Sequence, residues 1–414
     1  PIPNPQSPIP NPQSPILFIF SFGIMKFKYY FKNKKKKVQL KNVYLIIILY
    51  CFIYIKFNPN FVIFISQKEE FESIEKYLKS CNDSKIKELN FYKIKKIPKV
   101  SIISPVYNRG EYILRFIKSI QNQYFKDIEI ILIDDFSSDD TLNLIKQYQS
   151  IDKRIIIIKN KKNFGTFKSR NLGILKSKGE YVILPDPDDI LSQNSLHMFY
   201  FFAKKHDFEM LRFNLYLGKN IIFFSDCANP TPSKPIYSPE IKTFLFYATG
   251  RLRQIDFNVS NKFIKREALI RALNSLLKEY LNMYMTNFED GVLNYLLYRN
   301  VRSFYFYKRI GYYYIRNPYC ITGKGFNSNT IKFIFIHLKL VFEFSENTPF
   351  EKNMFNVLFR RLVIRKSIKK RIRLMKTDLK FYISSIDLFL ENEFVSINNK
   401  KYMIELKQSL MKIH

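Results

Sequence analysis

Three groups of acids stand out in a chain that is otherwise strongly basic. Lys and Arg number 68 against 35 Asp and Glu, a formal charge of +33. Asp134-Asp135 and Asp186-Pro187-Asp188-Asp189 each follow an apolar run, and Glu289-Asp290 opens another. Carboxylates brought together repel unless a proton or a cation neutralises them. Hard oxygen ligands with room for water and phosphate favour Mg2+ or Mn2+. Such a cation bridges the phosphates of a nucleotide and neutralises a departing diphosphate. The plainer alternative is that these acids cap helices, since Asp and Asn are good N-caps. That would account for one pair more readily than for acids at the ends of several strands. Glu289-Asp290 alone reads as an ordinary helix start before Val292, Leu293, Leu296 and Leu297.

The acids meet only if the elements before them run side by side. Val100–Ser104, Ile128–Ile133, Arg154–Ile158 and Tyr181–Leu184 are short, mostly apolar runs and are expected as strands. Between them, Glu111–Gln123, Asp139–Tyr148 and Thr166–Lys176 have helical spacing: Ile113, Phe116, Ile117 and Ile120 share one face, and Leu142, Ile145 and Tyr148 another. Strands apolar on both sides, alternating with helices, imply a parallel sheet covered on both faces. Right-handed crossovers make all four strands point the same way. Ligands of such sheets bind at the carboxyl ends of the strands. Pro105-Val106-Tyr107-Asn108 and five carboxylates, those of Asp134, Asp135, Asp186, Asp188 and Asp189, should therefore share one rim.

The motifs become specific in three blocks: VSIISPVYNRGEYILRFIKSIQNQ (100–123), IEIILIDDFSSDDT (128–141) and NFGTFKSRNLGILKSKGEYVILPDPDDIL (163–191). In order and spacing they resemble the nucleotide-binding half of the family 2 inverting glycosyltransferases. The resemblance is strong over residues 99–195 and looser over 255–320. It implies an α/β fold of the GT-A type, Rossmann-like, with a mostly parallel sheet and helices on both faces. Pro105, Tyr107 and Asn108 then line the base and ribose pocket. Asp135 hydrogen-bonds the base while Asp134 supports the loop. Gly165, Arg170 and Asn171 match the family's N-x-G and R-N positions, and Arg170 reaches phosphate or a neighbouring acid. Asp186-Pro187-Asp188 matches the D-x-D element: Asp188 contacts the metal, Mn2+ or Mg2+, and Asp186 a ribose or a metal-bound water. Asp189 completes the turn structurally. Prolines 185 and 187 depart from the pattern, removing two backbone donors. Asn258–Arg266 resembles the short strand before an acceptor-side helix, and Glu289-Asp290 the ED motif whose Asp is the general base. An acid at a helix amino terminus is stabilised as the anion, which suits proton acceptance. The implied reaction moves a sugar, with inversion, from a nucleotide-diphosphate donor (a UDP-sugar foremost) to a hydroxyl of a glycan, lipid-linked or protein acceptor.

The rest of the chain divides by composition. Residues 1–24 begin with PIPNPQS twice and read as sequence outside the functional protein, with Met25 as its start. Residues 25–65 combine eight lysines without an acid (Lys26 to Lys41) and an apolar run, Val43–Ile55, continued by Phe61–Ile65. They are expected to form an uncleaved signal anchor, with a cytosolic amino terminus and the remainder in the ER or Golgi lumen if eukaryotic. A cleaved signal and a soluble core element are the alternatives. Residues 66–97 read as a stem, 98–200 as the nucleotide-sugar half, 201–320 as the acceptor half, and 321–414 as a basic helical region. Asn82-Asp83-Ser84 and Asn258-Val259-Ser260 are sequons compatible with lumenal placement. Arg360–Lys376 holds nine basic residues and no acid, a basic amphipathic helix for a membrane surface, a phosphorylated acceptor or simple packing. Four scattered cysteines exclude a disulfide scaffold or a CxxC zinc site. No glycine-rich phosphate loop occurs among the 11 glycines. A nucleic-acid-binding protein would fit the charge, but no such module is present and no nucleic-acid partner is expected. An inactive transferase-like scaffold and another metal-dependent phosphotransfer enzyme or hydrolase are the remaining rivals.

Overall fold

The computed structural model describes residues 97–217, 235–238, 241, 258–276, 278–315, 328–343, 355, 356, 359, 375, 378–391 and 395–412. The repeat, the basic block, the apolar run 43–65, the stem up to residue 96 and the Asn82 sequon lie outside them. So does the basic stretch 360–376 except Met375. Among the described residues no helix is long and apolar enough to cross a membrane.

The expected alternation is present. β1 (Val100–Val106), β2 (Ile128–Asp134), β3 (Ile155–Lys159) and β4 (Tyr181–Ile183) pair in parallel in the order β3-β2-β1-β4. Between them run α1 (Gly110–Gln121), α2 (Thr141–Ile151) and α3 (Thr166–Lys176). β1 continues through Pro105 to Val106, whose carbonyl accepts from the Asp135 amide at 2.8 Å. α2 starts two residues later than expected because the Asp139 carboxylate binds the amides of Thr141 and Gly110, at 3.1 Å each, so its acid caps the turn and stays out of the helix.

The side chains of β1 and β2 are buried on both faces. Successive residues point to opposite sides. Ile102, Ile130 and Leu132 join Phe116, Ile117 and Phe199 in one core, while Ile103, Ile131 and Ile133 join Phe167, Ile174 and Leu293 in the other.

The central part of the sheet is largely parallel, and beyond β4 the pairing becomes mixed. β5 (Ile190–Leu191), α4 (Ser195–His206), β6 (Met210–Leu217), β7 (Ile236–Tyr237), β8 (Lys262–Lys265), α5 (Arg266–Asn274), α6 (Lys278–Leu281), α7 (Glu289–Asn300) and β9 (Ser303–Tyr314) follow. The sheet order is β3-β2-β1-β4-β8-β6-β9-β5, with β7 on β9. β8 is antiparallel to β4 and β6, and β9 is antiparallel to β5 and β7 but parallel to β6. The reason is local. Asn258, just before β8, lies at the cleft beyond the carboxyl end of β4, so β8 starts there and runs away from it.

α8 (Ser328–Glu343), α9 (Leu379–Leu390) and α10 (Ile397–Met411) form a third core, with Phe335, Leu338, Tyr382, Phe389, Met403 and Leu406 inside and Tyr295 of α7 reaching in. Met375 is buried there too. α7 is thus apolar on nearly every side because it is held between two cores.

Candidate active site

The carboxyl ends of β1, β2 and β4 and the amino terminus of α7 surround a cleft of about 420 Å3. After β1, Pro105 and Tyr107 line it, and Tyr107 remains 45% exposed. An aromatic face left open at a cleft wall can stack a base. Asn108 does not line it. Its backbone is left-handed (φ 51), its amide donates to Ser137 Oγ at 3.1 Å, and its Oδ1 accepts from the Ser138 amide at 2.9 Å. Asn108 is a turn residue tying the β1 loop to the β2 loop, which corrects its assignment to the pocket wall.

The second strand delivers two acids with different fates. Asp134 is fully buried and not among the cleft-lining residues; its Oδ1 accepts from the Ser137 amide at 3.3 Å. It ties the loop after β2 and is closed off from the cleft. Asp135 lines the cleft. Its Oδ1 accepts from Asn160 Nδ2 at 2.7 Å and the Phe164 amide at 2.8 Å, and its Oδ2 from the Gly165 amide at 2.8 Å. Each carboxylate oxygen offers about two lone pairs, so Oδ2 keeps one acceptor site. Gly165 is no wall residue either. It sits at φ 82, and a Cβ would come within 2.8 Å of the Met285 carbonyl oxygen. Only glycine allows the 285 segment to approach the start of α3 so closely.

The D-P-D-D turn is held from β9. The Tyr312 hydroxyl accepts from the Asp186 amide at 3.0 Å, the donor left between the two prolines, and donates to Asp189. Asp189 also accepts from the Ile315 amide at 2.7 Å, as a structural acid. Asp186 and Asp188 are left to line the cleft. Arg115 donates to the Asp188 carbonyl at 2.8 Å, and Arg109 Nε lies 3.7 Å from Asp188 Oδ2.

Arg170 joins the distant pieces. It projects from α3, is 1% exposed, and pairs with Asp290 at 2.8 Å, Asp186 at 3.3 Å and Glu289 at 3.4 Å. Of the two expected partners, phosphate or an acid, the structure shows the acids. Phe288, at φ 63, turns the chain so that Glu289 and Asp290 form the first turn of α7. Burial and the neighbouring Asp290 push the Glu289 carboxyl up to about 7, against the pull of Arg170. Burial, with Asp290 and Asp188 nearby, pushes Asp186 up as well, again opposed by Arg170. Glu289 and Asp290 both line the cleft.

Several site residues went unread in the sequence. Tyr312, Arg109, Thr166 and Thr286 carry no motif of their own, although Arg109 adjoins the Tyr107-Asn108 pair; Asn163 opens the N-x-G element. Asn258 reads as a sequon but lines the cleft, its Oδ1 accepting from the Ser260 amide at 2.8 Å. A glycan there would fill the cleft. Tyr284, 48% exposed, stands close enough to Asp135 and Tyr107 for their charges to add to the burial that raises its phenol pKa.

The family model described as Glycosyl transferase family 2 matches residues 101–273. A glycosyltransferase, GlyG, of Streptococcus pneumoniae is 31% identical over 117 residues, covering 28% of this chain and 39% of that protein. The poly(ribitol-phosphate) beta-N-acetylglucosaminyltransferase TarP of Staphylococcus aureus is 39% identical over 117 residues, 27% of this chain and 35% of TarP. A cholesterol galactosyltransferase of Borreliella burgdorferi is 36% identical over 180 residues, 42% of this chain and 49% of that protein. The chain thus spans between about a third and a half of the length of these relatives. In overall fold it is similar to S. aureus TarS 1-349 crystallised with UDP-GlcNAc, at a TM-score of 0.53 and 16% identity, covering 76% of this chain and 88% of that one. The matched segment holds every element that shapes the cleft up to α5, and over residues 101–273 the chain is similar to glycosyl transferase family 2, with an overall fold like that of TarS.

Proposed function

We propose that the protein transfers a sugar from a nucleotide-diphosphate donor to an acceptor hydroxyl, with inversion at the anomeric carbon. One observation carries this reading: Asp135, Asp186, Asp188, Glu289 and Asp290 line a single cleft, though they come from segments up to about 150 residues apart. Tyr107 offers a stacking face for the base, and the remaining acceptor site on Asp135 suits a base N–H. Uracil is the favoured base, and a UDP-sugar the favoured donor, since TarS was crystallised with UDP-GlcNAc.

Asp290 is the general base of this reading. Arg170 fixes its Oδ1, leaving Oδ2 to take the proton of an attacking hydroxyl. Glu289, with its raised pKa, holds a proton more readily than an ordinary carboxyl. The Arg170 charge is then shared by fewer anions and orients Asp290. The attacking oxygen forms its bond to the anomeric carbon on the face opposite the departing diphosphate, and positioning supplies much of the acceleration.

The cleft suits a divalent cation. Five carboxylates line it against one guanidinium, that of Arg109. Among the described residues no three acid, His or Cys side chains form a metal cage. That donor set fits an ion held by one or two carboxylates and completed by substrate phosphates, as Mg2+ and Mn2+ commonly are. Asp188, with Asp186 beside it, would hold the ion, which when bound would neutralise charge on the leaving diphosphate. The acceptor class stays as broad as a glycan, lipid-linked or protein hydroxyl. Membrane attachment through residues 43–65 belongs to the same reading and is supported by the lysine block beside that apolar run; carbonate extraction of the expressed protein tests it.

The test of the function is a panel of nucleotide sugars offered to the purified chain with Mn2+ and with EDTA. The expected result is Mn2+-dependent release of a nucleoside diphosphate from one donor, foremost a UDP-sugar. A chain that neither binds nor cleaves any of them would overturn the proposal.

A further inference from the structure

The cleft is built to repel the ligand it is proposed to hold. A nucleoside diphosphate carries two to three negative charges, and the cleft wall carries five carboxylates. Among the described lining residues the one cation is Arg109. It stands at the start of α1, directly after the turn that presents Tyr107. Its Nη1 donates to the carbonyls of Tyr107 at 3.2 Å and Asn108 at 3.0 Å, which fixes the guanidinium over its own turn. Its Nε lies 3.7 Å from Asp188 Oδ2, an ion pair too long for a hydrogen bond. Among the described residues Nη2 makes no hydrogen bond. The side chain is 18% exposed, so the guanidinium is held in place and partly desolvated while keeping donors in reserve. A rigid fork of this kind suits phosphate oxygens.

We propose that Arg109 binds the diphosphate of the donor, bridging between the base held at Tyr107 and the acids at Asp188. The inference rests on the nucleotide-sugar reading above and adds a residue to it. Arg109 shields the incoming phosphates from the Asp186 and Asp188 carboxylates. It is separate from Arg170, whose charge is already shared among three acids.

Equilibrium binding to the full chain, in Mn2+, tests this with UDP and uridine and with GDP and guanosine as probes. The wild type should bind one diphosphate more tightly than its nucleoside. Arg109→Ala should weaken that diphosphate about tenfold or more, with the nucleoside changed less than about twofold. Arg109→Lys, which keeps the charge without the fork, should fall between them. A diphosphate affinity in Arg109→Ala equal to the wild type overturns the proposal. Equal weakening of diphosphate and nucleoside also overturns it, because Arg109 would then only support the Tyr107 turn. If the wild type binds neither diphosphate, the donor-site reading itself fails, and Arg109 with it.

Discussion

The two halves of the domain reach the same cleft by different means. In residues 98–200 the acids that line the cleft sit within a few residues of a strand end, and Asp135 is held by Asn160, Phe164 and Gly165 of one loop. In residues 201–320 the contributions arrive through long-range contacts. Asp290 meets Arg170 across 120 residues, and Tyr312 meets Asp189 across 123. The first half positions groups by sheet topology. The second positions them by ionic and hydrogen-bonded ties back to the first. Those ties therefore set where Asp290 and the D-P-D-D turn stand relative to each other.

The sharpest way to break this contrast is Asp290→Asn. Transfer should fall about 100- to 10,000-fold, while donor binding, a property of the first half, should change little. Loss of donor binding to the same extent would mean that the halves do not divide the work. Next is Arg170→Met, which leaves three acids facing one another around a buried site. Chemical denaturation should show a loss of about 3–5 kcal/mol, the usual cost of breaking a buried pair. A loss below about 1 kcal/mol, typical of exposed pairs, would show that the tie is dispensable.

Two glycines compare packing in the two halves. A Cβ at Gly173 would meet Ile103 Cγ2 at 2.4 Å, and one at Gly311 would meet Phe199 Cζ at 2.2 Å. Phe199 cannot easily retreat, because it stacks on Phe213 at a centroid distance of 4.2 Å. Gly173→Ala and Gly311→Ala should each cost about 1–3 kcal/mol, read as shifts in denaturation midpoint. A silent Gly311→Ala would mean that the second half is the looser of the two.

The smallest expected effect is a pH dependence of stability. The folded Glu289 keeps its proton up to about 7, whereas in the unfolded chain it releases it near 4. The folded state therefore binds more protons between those values, and stability falls as pH rises through that window. Asp186 acts in the same direction but less, its side chain being 36% exposed. Glu289→Gln should flatten the slope of Tm against pH; an unchanged slope would remove Glu289 as its source.

Much of the first half was legible because its signals are local. Short, mostly apolar runs such as Ile128–Ile133, broken only by Glu129, read as strands buried on both faces when they alternate with helices, and the acids directly after them then fall on the sheet's carboxyl rim. Asn108, Asp134 and Gly165 share one feature: each sits in a motif, yet its side chain or backbone is engaged by a neighbouring loop, Ser137 and Ser138 for Asn108, Ser137 for Asp134 and Met285 for Gly165. A motif marks a neighbourhood, and hydrogen bonding within the fold decides which members still face the cleft.

The mixed pairing beyond β4 was beyond reach for a related reason. Lys262–Lys265 is only four residues long, and its direction follows from where Asn258 enters at the cleft. Periodicity and strand-end chemistry, which depend on neighbours along the chain, established the parallel half, its acid rim and the family resemblance. Tertiary structure alone assigned Arg170 to three acids, Tyr312 to the D-P-D-D turn and α7 to its seat between two cores. Most of those arrangements depend on groups distant in the chain coming into contact, Arg170 with Asp290 across 120 residues and Tyr312 with Asp189 across 123, and no spacing within one segment encodes which partners they will find.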